Sequence, residues 1–237
     1  MATTRDEAEP SESFWIDQAL SAFQEALGLV DARTAPGFYG VVLHDIAETY
    51  EKRGDVQQAL ARYQESVEYK RMGDGPEDLA TTLLAFGDLL IESGDLTKAR
   101  SILDEAKPIL EKEARAVRLH RLGSAYESLG QEGQKDAYAE ALKIYQATLG
   151  LVDADGDPGS YATVLRDIGD VYQAQGRLAE SVAAYEDAAG HIRGRPGLER
   201  TLASILVDIG RFRRQRANLS REEQEDSEEN TEPEAGD

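Results

Sequence analysis

The sequence contains no cysteine, which removes disulfide frameworks, thiolate metal sites, iron–sulfur clusters and cysteine nucleophiles together. Aromatic residues are 7% of the chain against 41% hydrophobic in all, so the core has to be built from Ala, Leu, Val and Ile, which favours closely packed helices. Long apolar runs are missing too. No stretch approaches the roughly 18 uninterrupted apolar residues of a membrane span, and Met1 to Pro10 is polar and acidic rather than basic and then apolar. Neither a span nor a secretory signal is expected, and the expected location is cytoplasmic.

Positive charge is scarce. Lys and Arg number 26 against 46 Asp and Glu, a formal net charge of −20. Such a charge repels a phosphate backbone at long range, so no nucleic-acid partner is expected. Catalytic motifs are missing as well: the chain has no Gly-rich phosphate loop, no G-x-S-x-G elbow and no H-E-x-x-H helix. Its three histidines, His44, His120 and His191, are far apart in sequence. The expectation is a protein that is not an enzyme and has no cofactor and no metal. Asp153, Asp155 and Asp157 look like the start of a calcium loop, but position 6 of that loop is Pro158 rather than Gly and position 12 is Val164 rather than Glu. The segment reads as an interhelix turn.

What the chain has is internal repetition. Ala19 to Tyr50 and Ala141 to Tyr172 align without gaps and share 17 of 32 residues, including LGLVDA, a Pro-Gly pair and VLxDI. Shorter repeats lie inside this duplication. Each has a small residue, then Tyr or Leu three positions on, then Gly: Ala47-Tyr50-Gly54, Gly87-Leu90-Gly94, Gly123-Tyr126-Gly130 and Gly169-Tyr172-Gly176. A second apolar series follows each Gly, beginning at Ala59-Tyr63, Ala99-Leu103, Ala141-Tyr145 and Ser181-Tyr185. This is the pattern of a helix hairpin. The Gly ends the first helix, and small residues let the two helices approach while large side chains fill the remaining space.

The pattern resembles the tetratricopeptide repeat, over roughly Ser13 to Asn218. Anchors at 47, 87, 123, 169 and 210 are spaced more widely than the usual repeat of about 34 residues, which looks like the long-repeat variant of kinesin light chains. The resemblance implies an all-α fold, a right-handed α-solenoid of tandem helix-turn-helix repeats. Residues 1–11 are expected to be disordered. Residues 12–217 are expected to form a partial N-terminal repeat, four full repeats and a C-terminal capping helix, and residues 218–237 an acidic disordered tail. Pro36, Pro76, Pro158 and Pro196 are expected at helix entries.

Such arrays serve as scaffolds or adaptors for protein binding, holding a peptide or helix of a partner in a concave groove. Carrying over the family's groove phase selects Val41, His44, Glu48 and Glu51; Thr81, Leu84, Asp88 and Ile91; Val117, His120, Ser124 and Glu127; and Thr163, Arg166, Asp170 and Gln173. The clamp by which chaperone-binding members hold a carboxylate is not reproduced at these positions. A second reading is a self-assembling structural or regulatory subunit acting through its incomplete terminal repeats. Phe14, Trp15 and Phe23 would form its assembly surface, giving a homodimer through the N-terminal helix. Arg211, Arg213, Arg214 and Arg216 form the only dense basic run, a solvated face or else a dock for an anion or for the acidic tail.

Overall fold

The computed structural model describes residues 11–73 and 75–229. These residues form ten α-helices and no strand: α1 (Glu12–Leu29), α2 (Pro36–Arg53), α3 (Val56–Met72), α4 (Pro76–Glu92), α5 (Leu96–Glu113), α6 (Ala116–Gln131), α7 (Ala137–Leu149), α8 (Pro158–Ala174), α9 (Leu178–Ile192) and α10 (Glu199–Glu229). The chain divides into two compact units, Met1–Ala114 and Arg115–Asp237. In the first, α1 packs on α2, α2 pairs with α3 and α4 with α5, and α3 joins the two pairs by packing on α4. In the second, α6 pairs with α7 and α8 with α9, α7 packs on α8, and α10 lies on α9. The fold is therefore all-α and built from tandem helix-turn-helix repeats.

Three of the turns inside pairs are made by a Gly-Asp or Gly-Arg step. Gly54, Gly94 and Gly176 sit at φ of 81°, 85° and 74°, the left-handed region that glycine enters without a steric penalty. The residue after the glycine begins the next helix, and Asp55 and Asp95 cap α3 and α5 by accepting from the amides of Gln58 and Lys98. The third repeat departs from the sequence expectation. Gly130 does not end its helix but lies buried inside α6, where an added Cβ would come within 2.6 Å of the Tyr138 ring. Gly133, at φ 112°, makes the turn instead.

The prolines also divide. Pro36, Pro76 and Pro158 occupy first-turn positions of α2, α4 and α8, whereas Pro196 lies before α10, which starts at Glu199. The left-handed Gly197, at φ 84°, delays the helix. At its far end α10 runs to Glu229, so residues 218–229, expected to be disordered, continue the helix. Residues 1–10 and 230–237, the rest of the two expected disordered segments, lie outside the described residues.

Pairing follows from close approach. A Cβ at Gly87, Gly123 or Gly169 would stand 2.6, 2.5 or 3.1 Å from Leu103, Tyr145 or Tyr185 of the paired helix. In the first repeat Ala47 takes this place, wholly buried with Tyr63. Gly40 of α2 approaches the main chain of α3 as well as its side chains. Its carbonyl accepts from Ser66 Oγ at 2.6 Å, and an added Cβ would lie 2.7 Å from Lys70 Cγ, 3.0 Å from the Ser66 carbonyl and 3.1 Å from the Lys70 nitrogen. Main-chain atoms cannot swing aside. Gly40→Ala should therefore cost about 1–3 kcal/mol, whereas Gly190→Ala in α9, where a Cβ meets nothing within 4 Å, should gain up to about 1 kcal/mol from helix propensity. Urea denaturation of both variants checks the opposite signs.

Candidate functional site

Each unit carries its own polar centre where helices of successive repeats meet. In the first unit it is built around a buried lysine. Lys70 of α3 is 5% exposed, and its Nζ donates to Thr82 Oγ1 at 2.7 Å and to the Asp78 carbonyl at 3.2 Å, both on α4. Burial pulls the ammonium pKa below its usual value. Thr82 Oγ1 lies 3.2 Å from Nδ1 of His44 on α2, and His44 Nε2 lies 3.3 Å from Glu48 Oε1. Burial and then the Lys70 charge hold the imidazole below its ordinary pKa. In the neutral ring, Nδ1 accepts from Thr82 and Nε2–H donates to Glu48, so one tautomer satisfies both nitrogens. His44, Asp45 and Glu48 bring ligand atoms within 4.8 Å of one another, but both imidazole nitrogens are already engaged.

The second unit carries an acidic face on α6 and α8. Nε2 of His120 lies 2.6 Å from Asp167 Oδ2, and Arg166 Nη2 lies 3.2 Å from Asp167 Oδ1. From α7, the buried Tyr145 hydroxyl donates to Glu127 Oε2 at 2.9 Å and lies 3.2 Å from Ser124 Oγ. From α9, the Tyr185 hydroxyl donates to Asp170 Oδ1. Burial, followed by the charges of Asp167 and Asp170, pushes Glu127 up to about 7 despite the hydroxyl it accepts. Burial raises Asp170 as well. Both phenols are pushed up, by burial first, and so remain donors at neutral pH.

Beside this face, at the N-terminal ends of α6 and α8, lies a cleft of about 300 Å³. Val117 and His120 of α6, Leu151 and Val152 beyond α7, and Thr163 and Val164 of α8 line it. Val117 is 83% exposed. Asp153 and Asp157 stand on the rim. Asp153 accepts from the Asp155 amide at 3.0 Å and Asp157 from the Ser160 amide at 3.1 Å, capping α8. Hydrogen bonds from Gly156 and Asp155 hold Asp153 below the usual carboxylate range, and those from Ser160 do the same for Asp157. Two of the three aspartates of the would-be calcium loop thus face their own backbone as turn and cap.

The expected groove residues fall into several environments. Val117, His120 and Thr163 come together in the cleft, and Ser124, Glu127, Arg166 and Asp170 are half-buried on the acidic face beside it. Gln173 is exposed. In the first unit Glu48 and Glu51 are exposed, and Glu51 accepts from the Tyr63 hydroxyl at 2.9 Å. Asp88 is half-buried, whereas His44, Leu84 and Ile91 are buried, Leu84 to 2% exposure. Phe14 and Trp15 are exposed, ring on ring at 5.3 Å, and Phe23 is half-buried. Arg211, Arg213, Arg214 and Arg216 are all exposed, with Arg213 paired to Glu186 at 2.5 Å and Arg211 to Asp208 at 3.2 Å. Sequence reasoning missed Asp167, Lys70 and Thr82. The first had a signal, since the Asp of VLxDI stands in both duplicated segments as Asp45 and Asp167.

The tetratricopeptide repeat model matches residues 38–112 and 132–190. Solved structures of similar fold include a protein with nearly identical repeats of the kinesin light chain type from Podosopora anserina. It shares 14% identity over 78% of this chain and 92% of that one, with a TM-score of 0.62. BtubC from P. vanneervenii shares 16% over 94% and 95%, at 0.58. YrrB, a repeat protein with an unusual peptide-binding site, shares 15% over 77% and 81%, at 0.54. At such identities the likeness is one of fold. No curated protein matches the chain in sequence. Among the described residues no helix is long and apolar enough to cross a membrane.

The raised Glu127 carboxyl gives a pH test. Its folded pKa of about 7 exceeds the ordinary 4.5, so in that window the folded chain binds more protons than the unfolded one. Stability then falls as pH rises from about 4.5 to 7 and is level above. Glu127→Gln keeps an acceptor for Tyr145 and removes the charge. It should leave stability unchanged near pH 4 and raise it by about 1–2 kcal/mol at pH 8, allowing for solvent screening. Thermal melts across pH should show the two curves diverging above pH 4.5.

Proposed function

The chain belongs to the tetratricopeptide repeat family, and from that membership we propose that it holds a peptide or helix of a protein partner in the cleft between the N-terminal ends of α6 and α8. Repeats of this family support a protein-interaction scaffold in general, and the repeat fold is generally non-enzymatic. The observation that carries the finer reading is the cleft itself. Its walls are apolar at Val117, Leu151, Val152 and Val164, and Asp153 and Asp157 stand on its rim.

A cleft of about 300 Å³ lies at the lower end of the range of ligand pockets, room for one or two side chains of a peptide. Apolar contact would supply most of the affinity. The rim aspartates, held ionised at neutral pH, would select the flanking residues, since exposed charge steers and discriminates more than it holds. The ligand that fits is a segment with a Leu- or Phe-sized side chain beside Lys or Arg. Glu127, half neutral near pH 7, adds less to that field than its formal charge implies. Leu84 and Ile91, buried in the first unit, would not serve as its apolar contacts.

The test is selection of a random peptide display library on the full chain, followed by titration of the enriched peptides. Enrichment of Lys or Arg flanking a large apolar residue is expected, with affinity that weakens as salt is added. Val117→Lys removes apolar surface and opposes the ligand's charge, and it should raise Kd at least about tenfold. Val117 is 83% exposed, so the variant should fold. Enriched acidic peptides, or titrations indifferent to Val117→Lys, would assign binding elsewhere.

A further inference from the structure

The duplicated segments share a plan but not an environment. In the second unit α6 covers α7: Ala137 and Tyr145 are wholly buried and Tyr138 is 6% exposed. At the matching positions of α1 stand Trp15, Ile16 and Phe23, of which Trp15 is 59% exposed and the others half-buried. Where α6 would lie, the first unit has a cleft of about 650 Å³, lined by Trp15, Ile16, Ala19 and Phe23 of α1 and by Asp45 and Glu48 of α2. Among the described residues no helix fills it.

The other end of the molecule has the complementary feature. Gly210 on α10 continues the series Gly87, Gly123 and Gly169, each of which is closely approached by a large side chain of the following helix. An added Cβ at Gly210 meets nothing within 4 Å. Leu206 and Val207, one turn before it, are 42% and 52% exposed. A second cleft, of about 340 Å³, lies along α9 and α10 beside Phe212, Arg213 and Arg216.

We infer that α10 of one copy packs into the α1 cleft of another, with Phe23 seated on Gly210, so that one repeat is completed between two chains. The α6–α7 pair supplies the register. There Tyr145 meets Gly123 and Tyr138 meets Gly130. The same antiparallel register sets Phe23 on Gly210, Ile16 on Ala217 and Asp17 beside Arg216. Charge agrees with it in sign: α1 carries Glu12, Asp17 and Glu25 and no basic residue, while residues 211–216 carry four arginines; Lys52 of α2 also lines the cleft, and Asp17 would exchange its 3.5 Å pairing with Arg53 for Arg216. Because the two surfaces differ, the contact is head-to-tail and leaves a free end of each kind, so association continues past the dimer or closes as a ring. This surface is separate from the cleft at α6 and α8 and does not depend on peptide binding there.

Sedimentation velocity of the full chain over a roughly hundredfold range of concentration should show species larger than the monomer, either growing past the dimer or stopping at a closed ring of two or more copies. Emission of Trp15, the sole tryptophan, should shift to the blue as they form. Trp15→Glu blocks one surface and Gly210→Gln the other; each should weaken self-association at least about tenfold. Both positions are exposed, and Gly210→Gln should raise helix content while lowering association, which separates the effect from misfolding. Mixed together, the two variants still own one intact surface of each kind and should form a dimer and nothing larger. A wild-type chain that stays monomeric, or variants that fail to pair when mixed, would each overturn the inference. In a monomeric chain, a change in Trp15 emission on deleting residues 1–10 would assign the cleft to the chain's own N-terminal segment.

Discussion

Helix pairing in both units depends on one contact, a residue with little or no side chain on the first helix meeting a large side chain on the second. Ala47, Gly87, Gly123 and Gly169 are the small partners, and Tyr63, Leu103, Tyr145 and Tyr185 the large ones. Three of the chain's ten tyrosines thus stand at the pair interfaces, where helices must register. The tolerance is narrow. At 2.5 Å from the Tyr145 ring, even a methyl group on Gly123 would force the helices apart, and packed interiors absorb such shifts poorly.

The same tyrosines also build the polar face. A ring buried between two helices has to bring its hydroxyl to a partner, and in three of the four pairs that partner is a carboxylate on the first helix: Glu51, Glu127 or Asp170. Packing therefore dictates where acids stand. The second pair is the exception that explains the rule, because Leu103 has no hydroxyl and Ile91 occupies the place of Glu51 and Glu127, buried among apolar neighbours. Burial beneath the rings is also what raises Glu127 and Asp170, so the charge of the face is set by the depth of the core contact as much as by the count of acids.

Much of this was legible in the sequence. The anchor series located the pairs, Gly54, Gly94 and Gly176 located three turns, and the gap-free duplication announced that α1–α2 and α7–α8 share a plan. Other features depended on three-dimensional neighbours that no spacing reveals. Gly130 carries the same signature as Gly54, yet the residues between it and Ala141 let α6 run on and move the turn to Gly133. Leu84 has the groove phase of its siblings, but it is apolar and lies in the core, 2% exposed. Lys70 reads as an ordinary exposed lysine. Only the meeting of α3 with α4 shows that its ammonium is buried against Thr82 and the Asp78 carbonyl. Composition alone marks residues 218–229 as disordered, but a preceding helix propagates into such a stretch without a new nucleus, as α10 does to Glu229.

The duplication shows what one helical plan can become in two settings. On α7, Ala137 and Tyr138 face α6 and are sealed. On α1 the corresponding Trp15 and Ile16 have no such cover, and Trp15 is larger than the alanine it matches. An exposed indole costs hydrophobic surface in a protein whose formal charge otherwise keeps it soluble. It is best understood through what covers it. The internal symmetry that builds the core thus also defines, at its unpaired edge, the shape of the partner surface that would complete it.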